Sequence, residues 1–171
     1  MKTIKIILGI ITLLVLVFFS TGLIVKETKY TTQVNINKSL EEVFTKFNDP
    51  SNIKEWIPEF KSIDTLEEKP GKIGSTYKLV VDNKGEEVVL NEKVLAYVPN
   101  EKVTLYYNAG DMLKTDDYTF SHANGVTTIV NKSSCKSNKF LLSCLFPYFK
   151  STFKQQDQGY LNNFKDFVEK Q

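Results

Sequence analysis

The sequence contains no arginine. All 22 basic residues are lysine, set against 20 acids, for a formal charge of +2. Lys2 and Lys5 precede the first acid, Glu27, so from Lys26 onward 20 lysines meet 20 acids and the remainder is neutral. A neutral, arginine-free chain is a poor partner for nucleic acid, where charge neutralisation supplies most of the affinity. Histidine is nearly absent. His122 stands alone in a Ser-His-Ala-Asn-Gly turn, where a ring faces solvent rather than the substrate a catalytic base must reach. Two cysteines and one histidine leave too few ligands for zinc and too few partners for a Ser-His-Asp device. Nothing in the sequence calls for a metal or a cofactor. With 8 Gly and 5 Pro in 171 residues, and 42% hydrophobic residues, the chain is neither fibrous nor disordered and suits one domain.

Charge is also missing from Ile6 to Val25, a run of 20 residues reading IILGIITLLVLVFFSTGLIV. As a helix it reaches ~30 Å, the thickness of a bilayer's hydrocarbon core. Two readings compete, a retained single-span anchor and a cleaved signal peptide. The run exceeds the usual apolar core of a signal peptide, and Ser20-Thr21-Gly22 is a poor cleavage site, which favours the anchor. A buried core helix is disfavoured because no face is polar. Lys2, Lys5 and the terminal amine, against Lys26 and Lys29 offset by Glu27, favour the domain on the extracytoplasmic side. The expected division is a tail over 1–5, an anchor over 6–25, a linker over 26–29 and a folded domain over 30–171.

Residues 28–36 alternate as a half-buried strand. Ser39 lies three before Glu42, a capping-box spacing, and Leu40, Val43, Phe44 and Phe47 form the apolar stripe of a short helix. Asp49-Pro50 starts a second helical turn that Pro58 stops. Six strands follow: Lys61–Glu68, Ser75–Asp82, Glu86–Val98, Lys102–Asn108, Met112–Ser121 and Val126–Ser134. Pro-Gly, Asn-Lys-Gly, Pro-Asn, Gly-Asp and Asn-Gly turns separate them and predict antiparallel neighbours. Residues 138–170 have a helical period, with Pro147 kinking the helix or marking the start of its main part. A seven-stranded antiparallel sheet must curl to bury one face, and the single long helix fills that concavity.

Several stretches carry a family resemblance: Val34–Phe44 (VNINKSLEEVF), Asp49–Pro58 (DPSNIKEWIP), Pro70–Ser75 (PGKIGS), Tyr118-Thr119-Phe120 with Asn124-Gly125-Val126-Thr127, and Asp157–Glu169 (DQGYLNNFKDFVE). In this order they resemble the START-like, or SRPBCC, superfamily, and within it the polyketide cyclase/dehydrase and lipid-transport branch. The resemblance spans about residues 30–170 and implies an α+β helix-grip fold, a curved seven-stranded sheet around a long C-terminal helix. It also implies a hydrophobic small molecule or lipid bound between sheet and helix. Some branches are cyclases or dehydratases, and others activate a heat-shock ATPase by protein contact. The N-terminal span departs from many relatives and argues against a freely diffusing carrier.

Strand parity nominates the residues that would line such a cavity: Tyr77, Leu79 and Val81; Leu105 and Tyr107; Tyr118 and Phe120. Phe149 and Phe153 on the C-terminal helix join them, and Trp56 is either a lid contact or packing. Each of these aromatics serves equally as plain core. The acid pairs Glu67-Glu68, Glu86-Glu87 and Asp116-Asp117 read as solvated edges, so no ionisable pair is expected inside. Cys135 and Cys144 either pair or remain free thiols. Phe140–Phe149 is too short to span a bilayer. It is either a buried helix end or an interfacial segment flanked by Lys139 and Lys150. The short link from Lys26 to Thr32 keeps the domain close to the membrane, since it reaches only ~23–25 Å extended.

Overall fold

The structure is a computed structural model and describes residues 2–170. It opens with α1, Lys2–Ile24, whose apolar side chains are exposed along its length. Strand β1, Thr28–Ile36, follows and alternates buried and exposed without interruption. Helix α2, Leu40–Phe47, starts at Ser39, whose hydroxyl accepts from the Glu42 N–H at 3.3 Å. Only that half of the capping box forms, because the Glu42 carboxylate turns to Lys46 at 2.9 Å. Asp49 caps the 3-10 turn Pro50–Asn52, accepting from the Ser51 N–H at 2.9 Å. The one-turn helix α3, Ile53–Trp56, completes the connection.

The remaining strands are β2 (Phe60–Glu67), β3 (Thr76–Asn83), β4 (Glu86–Val98), β5 (Lys102–Ala109), β6 (Met112–Ala123) and β7 (Val126–Ser137). All pairings are antiparallel, in the order β1-β7-β6-β5-β4-β3-β2. From β2 to β7 consecutive strands are neighbours, while β1 pairs with β7 at the edge opposite β2. The β3–β4 and β6–β7 hairpins turn through Lys84-Gly85 and Asn124-Gly125, with φ of 57° and 93°, and of 52° and 80°. Two consecutive left-handed residues give the twist that a two-residue hairpin needs, which explains the glycine in each pair.

The C-terminal helical stretch divides in three. Helix α4, Phe140–Leu145, and a 3-10 turn, Phe146–Phe149, precede the long α5, Lys150–Glu169. Pro147 sits at the first turn of the 3-10 segment, where its missing N–H costs nothing. The inner face of α5 carries Asp157, Leu161, Phe164 and Val168. Its C-terminal half seals a packed core in which Phe164 meets Phe47 edge-on at 5.4 Å and Trp56 at 5.5 Å. Along the same helix the Gln158 amide pairs with the backbone of Gln33 at 2.9 and 3.2 Å. Glu169 Oε1 accepts the Asn37 N–H at 2.7 Å. These contacts place α5 across the free edge of β1, an edge that would otherwise be open to pairing.

Helix α4 receives the end of α1. Phe18 stacks on Tyr148 and Phe19 on Phe140, with ring centroids about 6 Å apart. Thr21 Oγ1 and the Tyr148 hydroxyl share a hydrogen bond at 3.0 Å. A Cβ on Gly22 would lie 2.4 Å from Cys144 Sγ, so only glycine permits this approach.

Candidate functional site

The N-terminal half of α5 touches β1, β6 and β7 through Asp157 and Gln158 but stands away from β3 and β4. Beneath it lies a cavity of about 430 Å³. Leu79 and Val81 of β3 with Val88 and Leu90 of β4 give it an apolar floor, and Trp56 and Ile57 close one end. Phe153, Gln156, Asp157 and Tyr160 hang from α5 as its roof. A second hollow of about 100 Å³ lies behind a wall that both share, made of Trp56, Ile57, Leu79, Tyr107 and Tyr118. Tyr77, Leu105 and Glu92 belong to the smaller one.

The residues nominated from parity therefore separate. Trp56, Leu79, Val81, Tyr107, Tyr118 and Phe153 line the main cavity, and Tyr77 and Leu105 line the hollow behind it. Two others lie elsewhere. Phe120 packs in the core against Phe44 and Phe47, at 5.0 and 5.3 Å. Phe149 ends the 3-10 turn and stays about half exposed, since a 3-10 turn, with three residues per turn, does not keep the register of the inward face of α5. His122 is exposed at the β6–β7 turn, its Nδ1 sharing a hydrogen bond with Thr127 at 2.9 Å. Cys135 and Cys144 are buried free thiols, and burial pushes the Cys135 thiol up to about 11.

The expectation of solvated acid pairs fails at Asp116. Its side chain is buried and bonded to Lys114 Nζ at 2.9 Å, while Asp157 from α5 takes the same ammonium at 2.8 Å. Tyr30 donates to Asp157 Oδ2 at 2.9 Å, and Ser133 donates to Asp116 Oδ1 at 2.7 Å. This network ties β1, β6, β7 and α5 together at one end of the cavity. Burial alone would lower the Lys114 pKa, but Asp116 and Asp157 outweigh it and hold the ammonium above its ordinary value. Burial raises Asp157, partly offset by Lys114. In the rear hollow Glu92 is buried, and desolvation pushes its carboxyl up to about 7, against a hydrogen bond from Tyr107. Burial likewise raises the Tyr107 and Tyr118 phenols, which stay neutral.

The result is a chamber with an aliphatic floor and, at one end, a lysine between two carboxylates; Glu59 and residues 82–84 also line it. Asp116 and Asp157 together favour the charged form of Lys114. Among the described residues no three His, Cys, Asp or Glu side chains converge as metal ligands.

Comparison with known proteins agrees with this architecture. No curated protein matches the chain in sequence. Among solved structures, the chain is similar to the Zhui aromatase/cyclase from Streptomyces sp. R1128, with a TM-score of 0.71 at 12% identity, covering 84% of this chain and 94% of that one. It is similar to Ara h 8.0201 with a TM-score of 0.68 at 13% identity, covering 85% and 99%. The di-domain ARO/CYC StfQ from the steffimycin biosynthetic pathway gives 0.68 at 12% identity, covering 84% of this chain and 51% of that one. At such identities the likeness concerns the fold. The sequence itself matches the family described as polyketide cyclase / dehydrase and lipid transport over residues 27–156, and the chain belongs to that family.

Proposed function

We propose that the protein is a membrane-anchored binder of a hydrophobic small molecule or lipid, held without turnover between the sheet and α5. The observation that carries this reading is the 430 Å³ chamber, whose apolar floor and polar groups, Lys114 with its two aspartates foremost, match an amphiphile rather than a wholly apolar or wholly polar guest. Three features support its position beside a bilayer. Helix α1 is long and apolar enough to cross. Only Val25–Glu27 separate it from β1. Phe140, Leu141, Tyr148 and Phe149 remain exposed where α1 meets α4, and Lys139 and Lys150 flank them, the composition of an interfacial segment.

The test is to purify the full chain from membranes in mild detergent, extract it with organic solvent and identify bound molecules by mass spectrometry. An amphiphile is expected in near-stoichiometric amount. Val81→Trp, which narrows the chamber, should lose it while keeping the sheet's circular dichroism. Equal recovery from the wild type and the variant would contradict the reading.

A second reading is an enzyme of the cyclase or dehydratase kind, and the buried ionisable groups favour it. Glu92, titrating near neutrality beside Tyr107, has the character of a proton donor or acceptor. Under this reading Glu92→Gln abolishes turnover of a bound poly-ketone while leaving its binding intact.

A further inference from the structure

The head group that the chamber accepts follows from the hydrogen-bond inventory of its polar end, and this inference rests on the ligand-binding reading above. Lys114 has three N–H donors. Asp116 Oδ2 takes one at 2.9 Å and Asp157 Oδ1 a second at 2.8 Å. Of the three side chains only the lysine keeps appreciable exposure, 19% against 3% and 7%, and it lines the chamber. All four carboxylate oxygens already accept from the protein. Asp157 Oδ2 accepts from Tyr30 at 2.9 Å, and Asp116 Oδ1 accepts from Ser133 at 2.7 Å and Asn131 at 3.3 Å.

Three kinds of head group can be compared against this inventory. At Lys114 an amine would meet a like charge, and the two aspartates beside it are already satisfied. A carboxylate or phosphate would meet a cation backed by two anions at only slightly greater distance. Attraction and repulsion then largely offset, while the ligand's own desolvation cost remains. An uncharged oxygen carries no such cost and accepts the third N–H directly.

We propose that the chamber selects amphiphiles with an uncharged acceptor head, a ketone, ester or hydroxyl oxygen bonded to Lys114 Nζ, over acids, phosphates and amines of the same chain length. The two aspartates convert the lysine from an anion receptor into a neutral-ligand anchor.

Trp56 is the sole tryptophan and lies in the chamber wall, so its fluorescence reports occupancy. Full-length protein in phosphatidylcholine nanodiscs is titrated with tetradecan-2-one, myristate and tetradecylamine, each corrected for partition into protein-free discs. The ketone is expected to bind about tenfold more tightly than either charged ligand, the effect of one charge-assisted hydrogen bond. Lys114→Met should weaken the ketone about tenfold and, by stranding the two aspartates, turn the preference toward tetradecylamine. Asp116→Asn leaves the lysine under-balanced and should shift the preference toward myristate, a change of sign that loss of structure cannot produce. Circular dichroism checks that each variant is folded. Equal affinity for myristate and ketone in the wild type, or an Asp116→Asn variant with unchanged selectivity, would overturn the inference. Silence of Trp56 toward all three ligands would instead overturn the binding reading on which it rests.

Discussion

Lys114 and Asp116 share strand parity with Tyr118, so the alternation that marks the tyrosine as inward marks both charges as inward too. Reading Asp116-Asp117 as a pair hid this. Asp117 faces the other way, toward Thr104 and Lys102, and only Asp116 enters the chamber. Asp157 is legible in the same manner, four residues before Leu161 on the buried stripe of α5. The sequence does not reveal that these three charges meet, because the lysine and its second acid lie on different elements and converge only when α5 crosses the sheet. Removing the cation strands two buried carboxylates. Lys114→Met should therefore cost about 3–5 kcal/mol in chemical denaturation, with much of it recovered in the Lys114→Met, Asp116→Asn, Asp157→Asn triple variant. Glu92 predicts a pH effect of definite sign. Its carboxyl stays protonated in the fold up to about 7, against an unfolded value of 4.5. The unfolded chain thus releases the proton first, and Glu92's contribution to stability falls as pH rises from about 4.5 through 7. Glu92→Gln should flatten this slope and raise stability at pH 8 by about 1–3 kcal/mol, as measured by urea midpoints across that range.

Among the elements, the strands were the most legible and the C-terminal helix the least. Alternation in β1 and the Lys84-Gly85 and Asn124-Gly125 turns are local signals, and the structure keeps them. The bounds of β1 and β4 stand as expected and the others moved by one to three residues, most at β7, which runs on to Ser137 because β6 pairs with it to its end. A helical period alone cannot tell a continuous helix from α4, a 3-10 turn and α5 in series. Pro147 marked the break without showing that a 3-10 turn there leaves Phe149 exposed. Helix α4 and the end of α1 form one unit, and Gly22 is its tightest point. Gly22→Leu should separate them, which a spin-label distance between positions 17 and 141 would report as an increase. The exposed aromatic face gives a second outcome at this scale. Leu141→Asp with Phe149→Asp should leave thermal stability within about 0.5 kcal/mol, since both sites are exposed. The same pair should lower the transfer of lipid between the protein and vesicles containing anionic lipid, as followed with a fluorescent-chain lipid. Unchanged transfer would show that this face does not touch the bilayer.

For the whole molecule, the curved sheet and α5 divide the interior into two parts. Toward the C-terminal end of α5 the space is filled by Phe44, Phe47, Phe120 and Phe164. Toward its N-terminal end the helix bridges over the chamber, with Phe153 packed on Phe146 at 5.5 Å as part of a small separate cluster. The chamber therefore lies at the end of the domain that α4 and α1 approach. Between Ile24 and Thr28 an extended chain reaches only roughly 14 Å, so a bilayer-spanning α1 would keep this end near the headgroups. The most direct measurement is a crystal structure of the full-length protein with a ligand whose alkyl chain carries bromine. The account predicts an anomalous bromine peak above Leu79 and Val81, with the ligand's oxygen within hydrogen-bond distance of Lys114 Nζ. A bromine peak confined to the exterior, with the interior closed over Leu79 and Val81, would contradict it.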